Sequence, residues 1–505
     1  MRKVLRLVVL CLIVNFMQAK SRKNILFLVA DDMRPDLGVY RSGDPVIHTP
    51  HLDALAGKSL LLKKAYVQQA YCSPSRTSLL TGRRPDTTHV YDLIHYFRQS
   101  GGNFTTIPQY FKERGYNSIG MGKIFHPGRK ASEFDDPISW SRPYFHSDEN
   151  EAYQGRKHSW RAVSKDEYND KPLPDIQLAN KAIEVLRQVG PAAKRGEQPF
   201  FMAVGFYKPH LPFVFPEEYL SLYPPENIKL PKNGYIPAHM PPIAWSKYWE
   251  LLIYKDIAEL QVSGQPNTSL PRDVVMNLRR AYYSSISYID NEVGRVLQEL
   301  KMLGLEDNTI VSFLGDHGWQ LGEHGEWCKH TNFEDALHAP MMIRVPGITD
   351  GGIVSERLTE FVDLFPTLVE SAGFTPLTLC SEVNSTKTIL CREGASLMPL
   401  MQNPTRKWKS AAFSQYPRYL NGLLIMGYSV RNDKFRYTEW VQFNRKPSFK
   451  PNWNILYGAE LYDHTTDPGE NFNRADEAEY HDHRVTLMGL LHKGWRNSLP
   501  PPIEK

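Results

Sequence analysis

Four short apolar runs that each stop at a cluster of charged residues constrain this chain more than any other feature. Residues 25–30 run into Asp31-Asp32, and residues 309–315 run into Asp316-His317-Gly318. Residues 200–206 lead to Lys208-Pro209-His210, and residues 116–121 lead to Lys123 and His126. Unbroken apolar stretches of this length suit strands covered on both faces, as in a parallel sheet, where neither face alternates with water. In open α/β sheets ligands collect beyond the carboxyl ends of the strands, so the four clusters are expected to converge on one site. Amphipathic helical patterns at 53–56, 107–112, 183–186 and 293–303 alternate with these runs, which predicts an α/β fold. The polar stretch 129–174 and the proline-rich stretch 222–242 read as long loops over the sheet.

The pattern changes after Cys391. Residues 423–430 and 435–438 are strand-like, Glu460-Leu461-Tyr462-Asp463 precedes the turn Asp467-Pro468-Gly469-Glu470, and a closing helix is expected near 485–495. With 505 residues to divide, the expected organisation is a leader (1–19), a large α/β domain (20–402) and a smaller α+β domain (403–505) with an antiparallel sheet and a helix. The leader has basic Arg2, Lys3 and Arg6, an apolar stretch 7–17 and a small residue, Ala19, which is the grammar of a secretory signal. The stretch is too short to span a bilayer and no later run qualifies, so the secretory pathway without stable membrane association is expected. Removing the three leader cations lowers the formal net charge from +5 to +2. That excludes a strongly basic surface and with it a nucleic-acid partner; any preference for anions must be local.

In an oxidising compartment Cys380 and Cys391, close together in a polar segment, are expected to form a disulfide, leaving Cys328 unpaired. Asn103, Asn267 and Asn384 begin Asn-x-Ser/Thr triplets and are expected glycosylation acceptors. Asp31, Asp32 and Asp316 offer several carboxylate oxygens beside His317, and an oxygen-rich set suits a hard cation such as Ca²⁺ or Mg²⁺. Helix capping or a solvated turn is the competing reading of one strand-end Asp pair; acids at two strand ends favour the metal.

One motif remains: Cys72-Ser73-Pro74-Ser75-Arg76, followed by Leu80-Thr81-Gly82. Its plain reading is a buried cysteine beside a turn proline, and the spacing to Arg76 is too short for a cysteine phosphatase loop. With its context it resembles the signature of the type I sulfatases of the alkaline-phosphatase superfamily. The likeness continues through Gly122-Lys123-Ile124-Phe125-His126-Pro127, Lys208-Pro209-His210-Leu211-Pro212-Phe213, Asp316-His317-Gly318-Trp319 and Gly322-Glu323-His324-Gly325-Glu326-Trp327. It covers almost the whole chain beyond the leader.

The resemblance implies a large, mostly parallel sheet flanked by helices, and a sulfatase chemistry. Cys72 would be oxidised to Cα-formylglycine by the formylglycine-generating enzyme, and Asp31, Asp32, Asp316, His317 and the converted Cys72 would hold one Ca²⁺. Arg76 would steady the hydrate and metal, while Lys123 and Lys329 neutralise sulfate oxygens. His126 would take a proton, and His210 or Asp316 would serve the departing alcohol oxygen. Trp319 either packs on a sugar ring or, with Trp327, wedges loops together; Lys329 and His210 would also touch substrate. Ser75 reads as the start of a helix whose free N–H groups favour an oxyanion just after Cys72. The imidazole at 317, in place of the commoner Asn, matches the branch of the family that removes the 2-O-sulfate of terminal iduronate from heparan and dermatan sulfate, a glycosaminoglycan-degrading lysosomal activity. Cys328-Lys329-His330 departs from the Ala-Lys-Tyr expected in that branch. Alternatives stay open: another sulfated sugar or small alcohol, a phosphodiesterase or phosphonate hydrolase on the same fold, secretion instead of the lysosome, and a non-catalytic binding protein with unconverted Cys72. Against the last stands the intact set Arg76, Lys123, His126, His210 and Lys329.

Overall fold

The computed structural model describes residues 22–40, 47–128, 131–148, 153, 155–266, 268–445 and 447–501. The leader 1–19 and Asn267 lie outside the described residues. The central sheet has seven strands: β1 (Asn24–Ala30), β2 (Leu60–Tyr66), β3 (Asn117–Gly122), β4 (Phe200–Phe206), β5 (Thr309–Gly315), β6 (Met341–Arg344) and β7 (Ile353–Glu360), in the order β7-β2-β6-β5-β1-β4-β3. All neighbours are parallel except β6, which runs antiparallel to both β2 and β5.

Every residue of β1 is buried, and the pleat divides them between two cores. Leu26, Leu28 and Ala30 face one side with helices α3 (Pro174–Lys194) and α4 (Arg272–Met302), while Ile25, Phe27 and Val29 face the other with α1 (Cys72–Thr81), α2 (Ile107–Lys112) and α5 (Leu364–Ser371). Two-sided burial is the physical reason the run carries no polar alternation. Each such side chain contributes roughly 1.5–3 kcal/mol, so Phe27→Ala would cost about 3–5 kcal/mol.

Strand register places the chemistry. Ala30 pairs with Gly315 on one side and Phe206 on the other, and Gly205 with Gly122. The residues just beyond, Asp31, Asp316 and Lys123, therefore emerge side by side. Gly122 sits at φ +70°, and a Cβ there would lie 2.2 Å from the Gly205 carbonyl oxygen. Only glycine lets these strand ends approach closely and turn Lys123 inward.

A second sheet, β8 (Ala412–Leu420), β9 (Leu423–Arg431), β10 (Phe435–Asn444) and β11 (Lys450–Asp463), is an antiparallel meander closed by α6 (His481–Lys493). Leu487 and Leu491 of that helix pack on Val430, Tyr437 and Leu461. The meander also backs the loop after β5: Arg418 donates to the His330 carbonyl at 2.7 Å, and Asn332 to that of Gly427 at 3.0 Å. A disulfide joins Cys380 and Cys391, whose Cα atoms are 5.0 Å apart, and Cys328 is buried and free. Asn103 and Asn384 are both exposed.

Candidate active site

The helix after β2 begins at Cys72 itself, not at Ser75 as the sequence suggested. The Ser75 N–H already bonds the Tyr71 carbonyl at 3.0 Å, closing a turn around Cys72, and the helix ends at Gly82 in a left-handed cap. Cys72 thus occupies the first turn, where N–H groups and the helix dipole favour negative charge. Its Sγ lies 3.4 Å from His317 Nε2 and 3.7 Å from both Asp31 Oδ1 and Lys123 Nζ. Burial pushes the thiol well above its usual pKa, and Lys123 offsets only part of this. A neutral thiol in a dry site is a poor nucleophile, so the position matters more than the sulfur.

Arg76, one turn on, ties the two acidic strand ends together. It donates from Nε to Asp316 Oδ2 and from Nη2 to Asp31 Oδ1, each at 2.9 Å, and from Nη1 to the carbonyls of Lys123 and Ile124. Ser75 Oγ bonds the Asp316 carbonyl. Burial alone would raise Asp31, but the paired Lys123 ammonium and the Arg76 guanidinium hold its carboxyl well below the usual range. Asp32 adopts φ +60°, strained for a non-glycine residue. It is held there by its N–H to Asp316 Oδ1 at 2.9 Å and by the Tyr282 hydroxyl on its carbonyl at 2.7 Å. Such strain persists only when its surroundings over-determine it.

Lys329 donates to Asp32 Oδ2 at 3.0 Å and to Glu250 Oε1 at 2.7 Å, and the same Glu250 oxygen is 3.1 Å from His210 Nε2. His210 Nδ1 faces the Leu211 carbonyl at 2.5 Å, so the ring donates on both sides when protonated. Glu250 is a site residue that sequence reasoning missed. It sits in a short helix (Trp249–Leu252) beyond the proline-rich loop, and nothing in the sequence separates it from the exposed acids around it. Burial would raise it, yet Lys329 and His210 keep it well below its ordinary range.

His126 lies within the field of Lys123 and Asp31; burial, then Lys123, push its pKa down to about 3, and Nδ1 has no hydrogen-bond partner. Both effects disfavour the imidazolium, so the ring is held neutral with an unpartnered nitrogen that can accept a hydrogen bond. Trp319 is a correction to the sugar-stacking expectation. It is 0% exposed, stacked with Tyr282 and edge-on to Phe213, and the Lys329 ammonium lies 4.8 Å above its ring. It has no surface to offer a sugar and instead supports Lys329. Trp327, also buried, fits the wedge reading.

The donor set fits a divalent cation. Asp31, Cys72, Asp316 and His317 bring ligand atoms within 4.8 Å of one another, and Asp31, Asp32, Cys72 and His210 form an overlapping group. Asp32 Oδ1 is buried without a hydrogen bond, 3.4 Å from His317 Nε2. Charge points the same way: four carboxylates (Asp31, Asp32, Asp316, Glu250) face three permanent cations (Arg76, Lys123, Lys329). That excess negative charge would repel an anionic ester; a hard divalent cation on these oxygens reverses its sign.

Above the cluster opens a cavity of about 290 Å³. Asp31, Lys123 and His210 of the cluster line it, together with Arg156, Lys208 and Ile253. Lys208 is buried, donates to the His210 carbonyl at 2.9 Å, and has no carboxylate within ion-pairing distance among the described residues. Burial lowers it to about 8 despite Asp175.

Residues 23–374 match the sulfatase family, and residues 322–494 match the C-terminal part of N-sulphoglucosamine sulphohydrolase. The chain is 39% identical to iduronate 2-sulfatase of Mus musculus over 94% of its length and 93% of the relative's, and 38% identical to that of Homo sapiens over 92% and 93%. A phosphonate monoester hydrolase of Agrobacterium radiobacter, 22% identical, superposes with a TM-score of 0.69 over 94% of this chain and 95% of its own, a likeness of fold. The chain belongs to the sulfatase family and is a sulfuric ester hydrolase.

Proposed function

We propose that this sulfatase removes the 2-O-sulfate from terminal iduronate in heparan and dermatan sulfate oligosaccharides, with Cys72 converted to Cα-formylglycine by the formylglycine-generating enzyme. One Ca²⁺ would be held by Asp31, Asp32, Asp316 and His317 beside the converted residue. The observation that carries the reading is Cys72 in the first turn of α1, within 3.7 Å of Asp31, Lys123 and His317. The identity to iduronate 2-sulfatases along nearly the whole chain supports the sugar, as does a cavity wall carrying Lys208 and Arg156, which favours an acidic ring. The leader at 1–19 supports entry to the secretory pathway, with the lysosome as destination.

When bound, the cation supplies positive charge to the sulfate oxygens, and the hydrated aldehyde supplies one hydroxyl to attack sulfur and a second whose deprotonation releases sulfate. The chain's own residues do the rest. Arg76 fixes Asp31 and Asp316 so that both face Cys72. Lys123 and Lys329 stand on either side of Asp31-Asp32, placed to meet oxygens that gain charge as the ester bond breaks. His126, neutral and with Nδ1 unpartnered, offers a hydrogen-bond acceptor, and takes a proton only once negative charge on the reacting ester offsets the field of Lys123. His210, held by Glu250 and partly open to the cavity, delivers one to the departing sugar oxygen. Burial of the cluster excludes water that would screen these charges.

The test is mass spectrometry of the tryptic peptide spanning residues 65–76, from protein made in animal cells, together with turnover of a 2-O-sulfated iduronyl disaccharide. Formylglycine at Cys72 and sulfate release are expected. An unmodified cysteine in cells that convert a control sulfatase would overturn the machinery; conversion without release from the disaccharide would overturn only the sugar.

A further inference from the structure

Of the chain's ten tryptophans, Trp249 alone is exposed, at 46%. A large aromatic surface in water has to be accounted for, and its surroundings say how. The next residue, Glu250, reaches inward to hold Lys329 and His210. One turn on, Ile253 lies on the same side of the chain, is 37% exposed, and lines the cavity above Asp31, Lys123 and His210. The Trp249 ring is 5.0 Å from that of His330, tilted by 39°, and His330 follows Lys329 directly. His330 is itself wedged against Tyr71 at 5.0 Å and Tyr416 at 6.1 Å. His330 therefore braces one side of the tryptophan, which stays nearly half exposed between Glu250 and the cavity-lining Ile253.

Building on the sulfated-sugar reading above, we propose that Trp249, extended by Ile253, is the platform on which the pyranose ring carrying the sulfate ester packs. A sugar offers apolar C–H groups on its face and hydroxyls at its edge, which an aromatic face and a polar rim match. Lys208 and Arg156, which line the same cavity as Ile253, would meet the anionic group of such a ring. This assigns ring recognition to a residue outside the strand-end motifs, in place of the buried Trp319.

The experiment compares kcat/KM of the full-length enzyme for a 2-O-sulfated iduronyl disaccharide, for glucosamine 6-sulfate and for propyl sulfate, an ester with no ring. Trp249→Ala is expected to lower the disaccharide value about tenfold more than the propyl sulfate value, mostly through KM. Trp249→Phe should recover most of that difference. An equal fall on ring and ringless esters would mean that Trp249 only props His330 and Lys329, and would overturn the inference; so would no fall on either. If glucosamine 6-sulfate is the ester turned over and its ratio to propyl sulfate falls, the iduronate specificity fails while the platform stands. Turnover of propyl sulfate with neither sugar ester would remove both.

Discussion

Two buried clusters rich in acids, one around Cys72 and one between the two sheets, differ in how completely their charges are paired. In the inter-sheet cluster Glu334 accepts from Tyr66 at 2.6 Å and Arg431 at 2.9 Å, while Glu470 accepts from Arg436 at 2.6 Å, His464 at 2.9 Å and the Glu334 N–H at 2.9 Å. Two carboxylates meet two guanidiniums, and all four carboxylate oxygens have donors. Around Cys72 the carboxylates outnumber the permanent cations, and Asp32 Oδ1 and Glu250 Oε2 have no hydrogen bond at all. Both bring possible ligand atoms within 4.8 Å of one another, yet only one is short of positive charge. A closed ion network ties elements together, whereas an open one waits for a ligand.

That contrast predicts opposite phenotypes, beginning with the largest effect. Cys72→Ala should abolish sulfate-ester turnover, by more than about 10³-fold, while circular dichroism and thermal unfolding stay close to wild type; measurable wild-type-like turnover would end the assignment of Cys72. Glu470→Gln should do the reverse. Removing Glu470 leaves the buried Arg436 guanidinium with Glu460 as its remaining acidic neighbour, at a cost of up to about 3 kcal/mol, read as a lower denaturant midpoint, with kcat of the folded enzyme within about twofold. A large kcat loss at unchanged stability would show that the second cluster is not merely architectural.

The smallest effect is in pH. Burial would raise Glu334, but Arg431 and His464 outweigh it and hold its carboxyl near 2. A depressed acid contributes stability that is fully present above its unfolded value of about 4.3 and is lost as pH falls toward 2. Denaturant titrations from pH 6 to pH 2 should therefore show a progressive loss to which Glu334 contributes up to roughly 3 kcal/mol. In Glu334→Gln that part of the slope should vanish, and an identical slope would refute the contribution.

Much of this was legible in the residues. The apolar runs at 25–30, 200–206 and 309–315 are strands buried on both faces, and the charged residues that stop them meet at one end of the sheet, because parallel register carries Asp31, Asp316 and Lys123 to the same edge. The strand-like pieces at 423–430 and 435–438 and the late helix were legible for the same reason, a period in the side chains. The antiparallel entry of β6 was not, since direction leaves no mark on a four-residue strand. The start of α1 was misplaced by three residues because a proline in a first turn is compatible with either boundary.

Composition and spacing by themselves determined the α/β class and the strand-end acids, while the cysteine motif and its arginine were singled out by resemblance to a known family. These are local facts: a run of apolar residues must be buried, and a charged residue that ends it must lie where the strand ends. Which tryptophan is buried and which is open, and which of many acids in a proline-rich loop reaches the site, was decided only in three dimensions. Trp319 and Trp249 are the same residue type in equally polar surroundings, separated by the packing of Tyr282 and Phe213 on one and of His330 alone among aromatic rings on the other. Glu250 acts on Lys329 across 79 positions. Burial and long-range charge pairing depend on what other segments bring to the same place, and a linear pattern does not carry that information.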